Sequence, residues 1–171
     1  MRYTVDACVL RASGSSTDRV ASACRDVLLA LNKTRSKIVF CAALRVEWDR
    51  HRSKFGASWL ASMLSKGLLL KVKLDESHIN GIKRAICSLQ EHEVPHALKD
   101  IHLVAAAVEF RSVVVSLERN CREKYHGIVM LYPPLGNVIW MNPFRHQESA
   151  VACVMGDPMP VAWQLRFVDS D

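Results

Sequence analysis

The sequence predicts an α/β protein, a three-layer α/β/α sandwich with a central parallel sheet. Short aliphatic segments alternate along the chain with segments whose apolar residues recur every three or four positions. This alternation is typical of a parallel sheet covered by helices on both faces. The segment "SVVVSL" (112–117) also lacks the polar alternation of a half-exposed strand. It therefore indicates a strand buried on both faces.

The strands come first because they define the sheet. Each is rich in aliphatic or β-branched side chains, which favour extended backbone. The predicted strands are "RYTV" (2–5), "KIVFC" (37–41), "LLLKVKL" (68–74), "SVVVSL" (112–117) and "GNVIWM" (136–141).

The helices are predicted from apolar spacing and from capping residues. Ser16 or Thr17 would cap the first of them, and Gly67 would end the third. The predicted helices are 18–33, 43–53, 58–67, 75–92, 100–110 and 118–125. "EVPHALK" (93–99) is predicted as a loop because it contains Pro95. In the tail, 148–155 and 161–168 could form two strands around the turn "GDPMP".

Composition limits the class of protein. With 171 residues, half of them hydrophobic, the chain predicts one folded domain rather than disorder. The apolar runs are too short to cross a bilayer, so a cytoplasmic protein without membrane contact is expected. The net charge of +6 suits a polyanionic partner. Six cysteines without C-x-x-C spacing are predicted to be reduced and mostly buried.

Four acids are predicted to meet at one edge of the sheet. Asp6 follows the first strand and Glu118 follows the strand 112–117, so both lie at carboxyl ends of strands. Asp100 opens a helix that returns antiparallel to the strands, and Glu47 lies early in the helix after the second strand. Ligands of such sheets bind at this edge. Taken singly, each acid is better explained as a turn residue, a favourable charge at a helix start, a helix cap or a solvated residue than as part of a site.

Together the four carboxylates require compensation, because like charges at one site repel and raise each other's pKa. A divalent cation is the simplest compensation, and hard oxygen ligands select Mg²⁺ or Mn²⁺ over Zn²⁺. Such a cation can orient a phosphodiester, activate water and stabilise the leaving oxygen. The predicted metal ligands and catalytic residues are therefore Asp6, Glu47, Asp100 and Glu118.

Four segments together resemble the PIN-domain nucleases, notably VapC-like toxins of toxin–antitoxin pairs. They are "YTVDACVLRAS", the Glu of "LRVEWDRH", "KDIHLVAAAV" and "VVVSLERN". The resemblance implies that residues 1–144 form a PIN-like nuclease domain and that 145–171 form a C-terminal extension packed on it. It also implies a metal-dependent endoribonuclease that hydrolyses RNA, with an antitoxin protein as possible partner and a homodimer as its assembly.

Two positions depart from the family pattern. Glu118 stands where the family most often has Asp, and Cys8 stands two residues after the first acid, where many members have Ser, Asn or Thr. These departures favour one alternative, a non-catalytic PIN-like interaction module with a degenerate acidic site. A second alternative is a nuclease acting on single-stranded or flapped DNA.

Basic residues beside the acids are candidates for binding the RNA backbone through phosphate contacts. The alternative for all of them is a solvated helix face. Near Glu47 and Glu118 these candidates are Arg45, Arg50, Arg119 and Arg122, with Arg52, Lys54 and Lys124 close by. His96 and His102 bracket Asp100 and are interpreted mainly as ordinary histidines. Trp140, if exposed, could stack on a base.

Overall fold

The structure is a computed structural model that describes residues 1–168. Its centre is one five-stranded, all-parallel sheet with the strand order β3-β2-β1-β4-β5. Helices cover both faces, so the predicted α/β/α sandwich is confirmed. The strands are β1 (Arg2–Val5), β2 (Lys37–Phe40), β3 (Leu69–Lys71), β4 (Val113–Val115) and β5 (Trp140–Met141).

Nine α-helices lie within residues 1–168. Five of the six predicted helices overlap one observed helix with ends shifted by a few residues, and 75–92 is shortened at its C-terminal end. Gly67, with φ +64°, was expected to end the third predicted helix, and it directly follows the C-cap residue Lys66 of the observed helix Lys54–Ser65. The helices are α1 (Ala7–Ala12), α2 (Arg19–Lys33), α3 (Ala42–His51), α4 (Lys54–Ser65), α5 (Glu76–Ile86), α6 (Val94–Lys99), α7 (Ile101–Phe110), α8 (Arg119–Gly127) and α9 (Pro143–Met155).

Strand β1 is central, and its position decides where a site can form. The chain builds outward from β1 through β2 to β3, then crosses to the other side for β4 and β5. The register pairs Tyr3 with Val113 and Val5 with Val115, and the buried hydroxyls of Thr4 and Ser112 bond at 2.6 Å. This reversal of strand order opens a crevice at the carboxyl ends of β1 and β4.

Two local predictions were wrong or incomplete. Residues 93–99 are not a loop, because α6 covers most of them with Pro95 in its first turn. A proline is tolerated there, since the N–H it lacks would have no partner within the helix. Helix α1 was missed because its six residues are too few to show a helical period. Its cap is Asp6.

The expected cap of the helix 18–33 was also wrong. Asp18 caps α2, because its side chain accepts the N–H of Ala21 at 2.8 Å. Ser16 is not the cap, and its hydroxyl donates to the Asp18 carboxylate.

The two strands predicted in the tail were also wrong. Residues 148–155 belong to α9, which begins at Pro143, packs on α2 and is capped by the side chain of Asn142. Residues 161–163 form a 3₁₀ helix, and Gln164 makes a single antiparallel bridge to Ile139. The apolar residues of α9 follow a helical spacing that buries them together, and this burial outweighs their strand propensity.

Two further expectations bear on function. Trp140 is 1% exposed, so the idea that it stacks on a base was wrong. It lies in β5 and packs near Tyr125. No helix in residues 1–168 is long and apolar enough to cross a membrane.

Candidate active site

All four predicted acids line one cavity at the carboxyl edge of the sheet. The cavity has a volume of about 460 Å³, and its wall is more polar than apolar. Each acid comes from a different part of the chain, after β1, on α3, between α6 and α7, and after β4. The rule that parallel strands end at the same edge explains why acids so distant in sequence share one cavity.

Asp6 is the most firmly held of the four. It is only 8% exposed and stands at the N-cap of α1. One carboxylate oxygen accepts the backbone N–H of Cys8 at 3.1 Å, and the other accepts the Ser116 hydroxyl at 2.6 Å. Its own N–H donates to the carbonyl of Val115 at 2.9 Å, so β1 and β4 together fix the position of this acid.

Ser116 is a site residue that sequence reasoning missed. It is fully buried, and its hydroxyl donates to Asp6 while accepting the backbone N–H of Glu118 at 3.1 Å. The Cys8 thiol lies 3.6 Å from the same hydroxyl. Ser116 thus donates a hydroxyl hydrogen bond to Asp6, whereas the side chain of Cys8 offers only a thiol. The available signal was a serine at the end of a buried strand, because a buried hydroxyl requires a partner.

Asp100 is the acid of the cavity whose pKa is raised by its surroundings. It joins α6 to α7 and is half-buried. Burial raises the pKa of its carboxyl, and the negative charge of Asp6 raises it further. A hydrogen bond from the Cys121 thiol opposes this rise, and burial next to Asp100 raises the pKa of that thiol. The interaction of Asp100 with Asp6 is the repulsion between carboxylates that the sequence predicted.

Glu47 has the opposite environment. Its Oε2 lies 3.4 Å from Nε2 of His102, a residue that is buried on α7. The hydrogen bond with His102 is the largest cause that lowers the pKa of Glu47. His102 was interpreted from the sequence mainly as an ordinary histidine. The structure pairs it with Glu47, which lies 55 positions away, and no local pattern could indicate this contact.

Glu118 occupies the N-cap position of α8, but its side chain makes no capping hydrogen bond. The residue is exposed and lines the cavity. Its backbone is fixed, because the N–H donates to the Ser116 hydroxyl and the carbonyl accepts the N–H of Arg122. A helix cap therefore does not account for this acid.

The predicted phosphate-binding arginines lie elsewhere than expected. Arg45 and Arg119 form exposed ion pairs with Asp49 and Glu123 on their own helices. Arg50 is exposed on α3, outside the cavity wall that the described residues form.

Arg122 was also predicted to bind phosphate, but the structure buries it. It is 3% exposed, and its guanidinium donates to three backbone carbonyls of the C-terminal tail. A guanidinium engaged in this way inside the protein is not available to a phosphate.

A different set of basic side chains surrounds the acids. Lys99 precedes Asp100, Lys124 lies two turns along α8 from Glu118, and Arg11 lies near the end of α1. Three histidines complete this part of the wall: His51, His92 and His96. We call Arg11, Lys99 and Lys124 the basic rim. Its members stand next to the acids in space, although Arg11 was not singled out from the sequence.

The donor set was tested against a hard divalent cation. The chemistry of the donors fits, because four carboxylates share one polar cavity, and burial together with the charges of Asp6 and Glu47 raises the pKa of Asp100. The spacing does not yet form a ligand shell, since among residues 1–168 no three His, Cys, Asp or Glu side chains are arranged closely enough to hold a metal ion.

The chain was compared with models of protein families and with curated proteins, and neither comparison gives a match.

Proposed function

We propose that the chain is a Mg²⁺- or Mn²⁺-dependent endoribonuclease that hydrolyses RNA phosphodiester bonds. The observation that carries the proposal is one cavity lined by four carboxylates from four separate parts of the chain and by the cations of the basic rim. The fold brings these positions together whatever residues they carry, so a carboxylate at all four supports a shared role. A cavity lined by both acids and cations suits a phosphate ester bridged to the acids by a metal ion.

In this proposal Asp6, Asp100 and Glu118 would be the principal metal ligands, and Glu47 would complete the set directly or through water. The metal would supply charge to stabilise the phosphate and to activate water. Ser116 orients Asp6 through its 2.6 Å hydrogen bond, and His102 orients Glu47.

The basic rim has a separate task. Lys99, Lys124 and Arg11 would neutralise phosphate oxygens beside the scissile bond and hold the strand across the cavity. Such contacts weaken as salt rises, because they depend on the release of counterions from the backbone.

The test is a cleavage assay on one labelled single-stranded RNA and on the DNA of the same sequence, with Mg²⁺ or Mn²⁺ titrated in. We expect RNA cleavage that requires the metal and falls at least about 100-fold in Asp100→Asn, the scale for losing one group that stabilises transition-state charge. Asp49→Asn is the matched control, because Asp49 is an exposed acid engaged by Arg45 and Arg52. It should cleave like the wild type.

Other outcomes identify the alternatives. Cleavage of single-stranded or flapped DNA in preference to RNA would favour the DNA nuclease. Failure to cleave either substrate at saturating Mn²⁺ would contradict the enzyme and favour the non-catalytic module. An antitoxin partner and a homodimer stay predictions from the resemblance alone, and copurification with the product of a neighbouring gene tests the first of them.

A further inference from the structure

The C-terminal tail runs along helix α8 and is attached to it at several points. We define the tail segment as residues 161–168. Its backbone is also paired with the residues just before β5, because the N–H of Leu165 donates to the carbonyl of Val138 at 2.9 Å. Trp163 is buried and stacks on His146 of α9, with ring centroids 4.1 Å apart. The tail segment is therefore anchored to the rigid part of the fold.

Arg122 connects α8 to this segment. One nitrogen of its guanidinium, Nη2, lies 3.1 Å from the carbonyl oxygen of Phe167 and 3.4 Å from those of Ala162 and Gln164, so its two hydrogens are shared among three acceptors. The three carbonyls span one turn-like stretch of the tail segment. A buried guanidinium with several carbonyl acceptors fixes both partners, because leaving either side unsatisfied is costly.

His126 adds a second connection one helical turn further along α8. Its Nδ1 donates to the carbonyl of Leu165 at 2.6 Å. Residues four apart lie on the same side of a helix, so Arg122 and His126 together attach one side of α8 to the tail segment.

The N-terminal part of the same helix lines the candidate active site. Glu118 at the N-cap, Cys121 and Lys124 of the basic rim all line the cavity. Tyr125 fixes α8 to α6 as well, since its hydroxyl donates to the carbonyl of Ala97 at 2.7 Å. Helix α8 is thus held on one side by α6 and on another by the tail segment, with its N-terminus at the cavity.

We propose that Arg122 and His126 are positioning residues that use the tail segment as a brace for α8 and so hold Glu118, Cys121 and Lys124 at the cavity. The effect of the brace on catalysis rests on the proposed function, whereas the existence of the brace does not. It gives the C-terminal tail a role in the site, although no residue of 161–168 lines the cavity.

The test compares two variants that each release the tail segment from one anchor. Arg122→Met removes the attachment to α8. Arg166→Met removes the attachment to the 3₁₀ helix Pro133–Asn137, where Arg166 donates to the carbonyl of Gly136 at 3.0 Å and to the side chain of Asn137. Hydrogen exchange of the amides of residues 119–127 is measured together with Mn²⁺ affinity by calorimetry and with RNA cleavage. Both variants are expected to lower Tm.

Only Arg122→Met is expected to speed exchange in α8 and to weaken Mn²⁺ binding, by about 10–100-fold, the scale for losing support behind a metal ligand. Arg166→Met should leave the Mn²⁺ affinity within about twofold of the wild type, a difference well under 1 kcal/mol. Equal effects of the two variants on exchange in α8, or unchanged exchange in Arg122→Met, would overturn the proposal.

His126 supplies a second pair of variants in case Arg122→Met does not fold. His126→Gln keeps an N–H donor for the carbonyl of Leu165 and should retain slow exchange in α8, whereas His126→Phe removes the donor and should lose it. Identical exchange in these two variants would contradict the brace. If the wild-type protein binds no Mn²⁺, the proposed function fails, and the exchange data still decide whether the brace exists.

Discussion

Asp6 and Glu118 are both N-cap residues and both line the cavity, yet their side chains are held differently. Asp6 caps α1 and is bonded on both oxygens, to the Cys8 N–H and to the Ser116 hydroxyl. Glu118 makes no capping hydrogen bond and is exposed. The N-cap side chain therefore stabilises its helix at Asp6, whereas at Glu118 it makes no such contribution. Stability and activity should separate at these two positions.

The largest effect is expected at Asp6. Asp6→Ala removes a cap and leaves the buried Ser116 hydroxyl without its acceptor, so the free energy of unfolding should fall by about 1–3 kcal/mol. RNA cleavage should be lost as well. Asp6→Asn keeps a good capping side chain and should retain most of the stability while losing cleavage by on the order of 100-fold. Denaturant melts measure the stability and single-turnover rates measure the cleavage. An Asp6→Ala variant with wild-type stability and activity would contradict the roles assigned to Asp6.

Glu118 should show an effect on activity alone. Glu118→Gln is expected to change stability by less than about 0.5 kcal/mol, since the side chain is exposed and caps nothing. Its cleavage rate should fall at least about 10-fold, within the range for loss of a charged group at a catalytic site. Glu118→Asp keeps the charge and should keep the rate. A Glu118→Gln variant that loses stability but cleaves at the wild-type rate would identify the residue as a helix cap after all.

The smallest effect is on the pH dependence of stability, to which Asp100 and Glu47 should contribute with opposite signs. Burial and Asp6 raise the pKa of Asp100, so the native state binds that proton more tightly than the unfolded chain does. Its carboxyl therefore destabilises the protein as pH rises from the ordinary pKa through the raised one. His102 lowers the pKa of Glu47, whose stabilisation is present above the ordinary pKa and is lost as pH falls through the lowered one.

Thermal melts of the metal-free protein at pH 4.5 and pH 7 measure this contrast. Asp100→Asn should gain Tm relative to the wild type, and more at pH 7 than at pH 4.5. Glu47→Gln should lose Tm at pH 7. Each change should not exceed about 2–4 °C, the shift that about 1 kcal/mol produces in a domain of this size. Shifts of the same sign in the two variants would contradict the assigned environments.

Sequence reasoning predicted the sheet well, because each strand is a short aliphatic run with a clear boundary. It placed four acids at one edge from strand direction alone, and the structure brings them to one cavity. It failed where the deciding partner is distant. Ser116 bonds a residue 110 positions away, and Arg122 bonds carbonyls 40–45 positions away. A local pattern holds no information about such contacts, so a buried arginine appeared identical to a surface arginine.

The position of β1 between β2 and β4 has a consequence for how the chain folds. The partner of β1 on one side lies within the first 40 residues, but its partner on the other side begins at Val113. Closing so long a loop is entropically slow, and contacts of this range delay folding. During synthesis, the first half of the chain therefore carries Asp6 and Glu47 without the other two acids. For the proposed ribonuclease, recovery of activity in refolding should therefore follow the slow pairing of β1 with β4, and a chain without its last two strands should not cleave RNA.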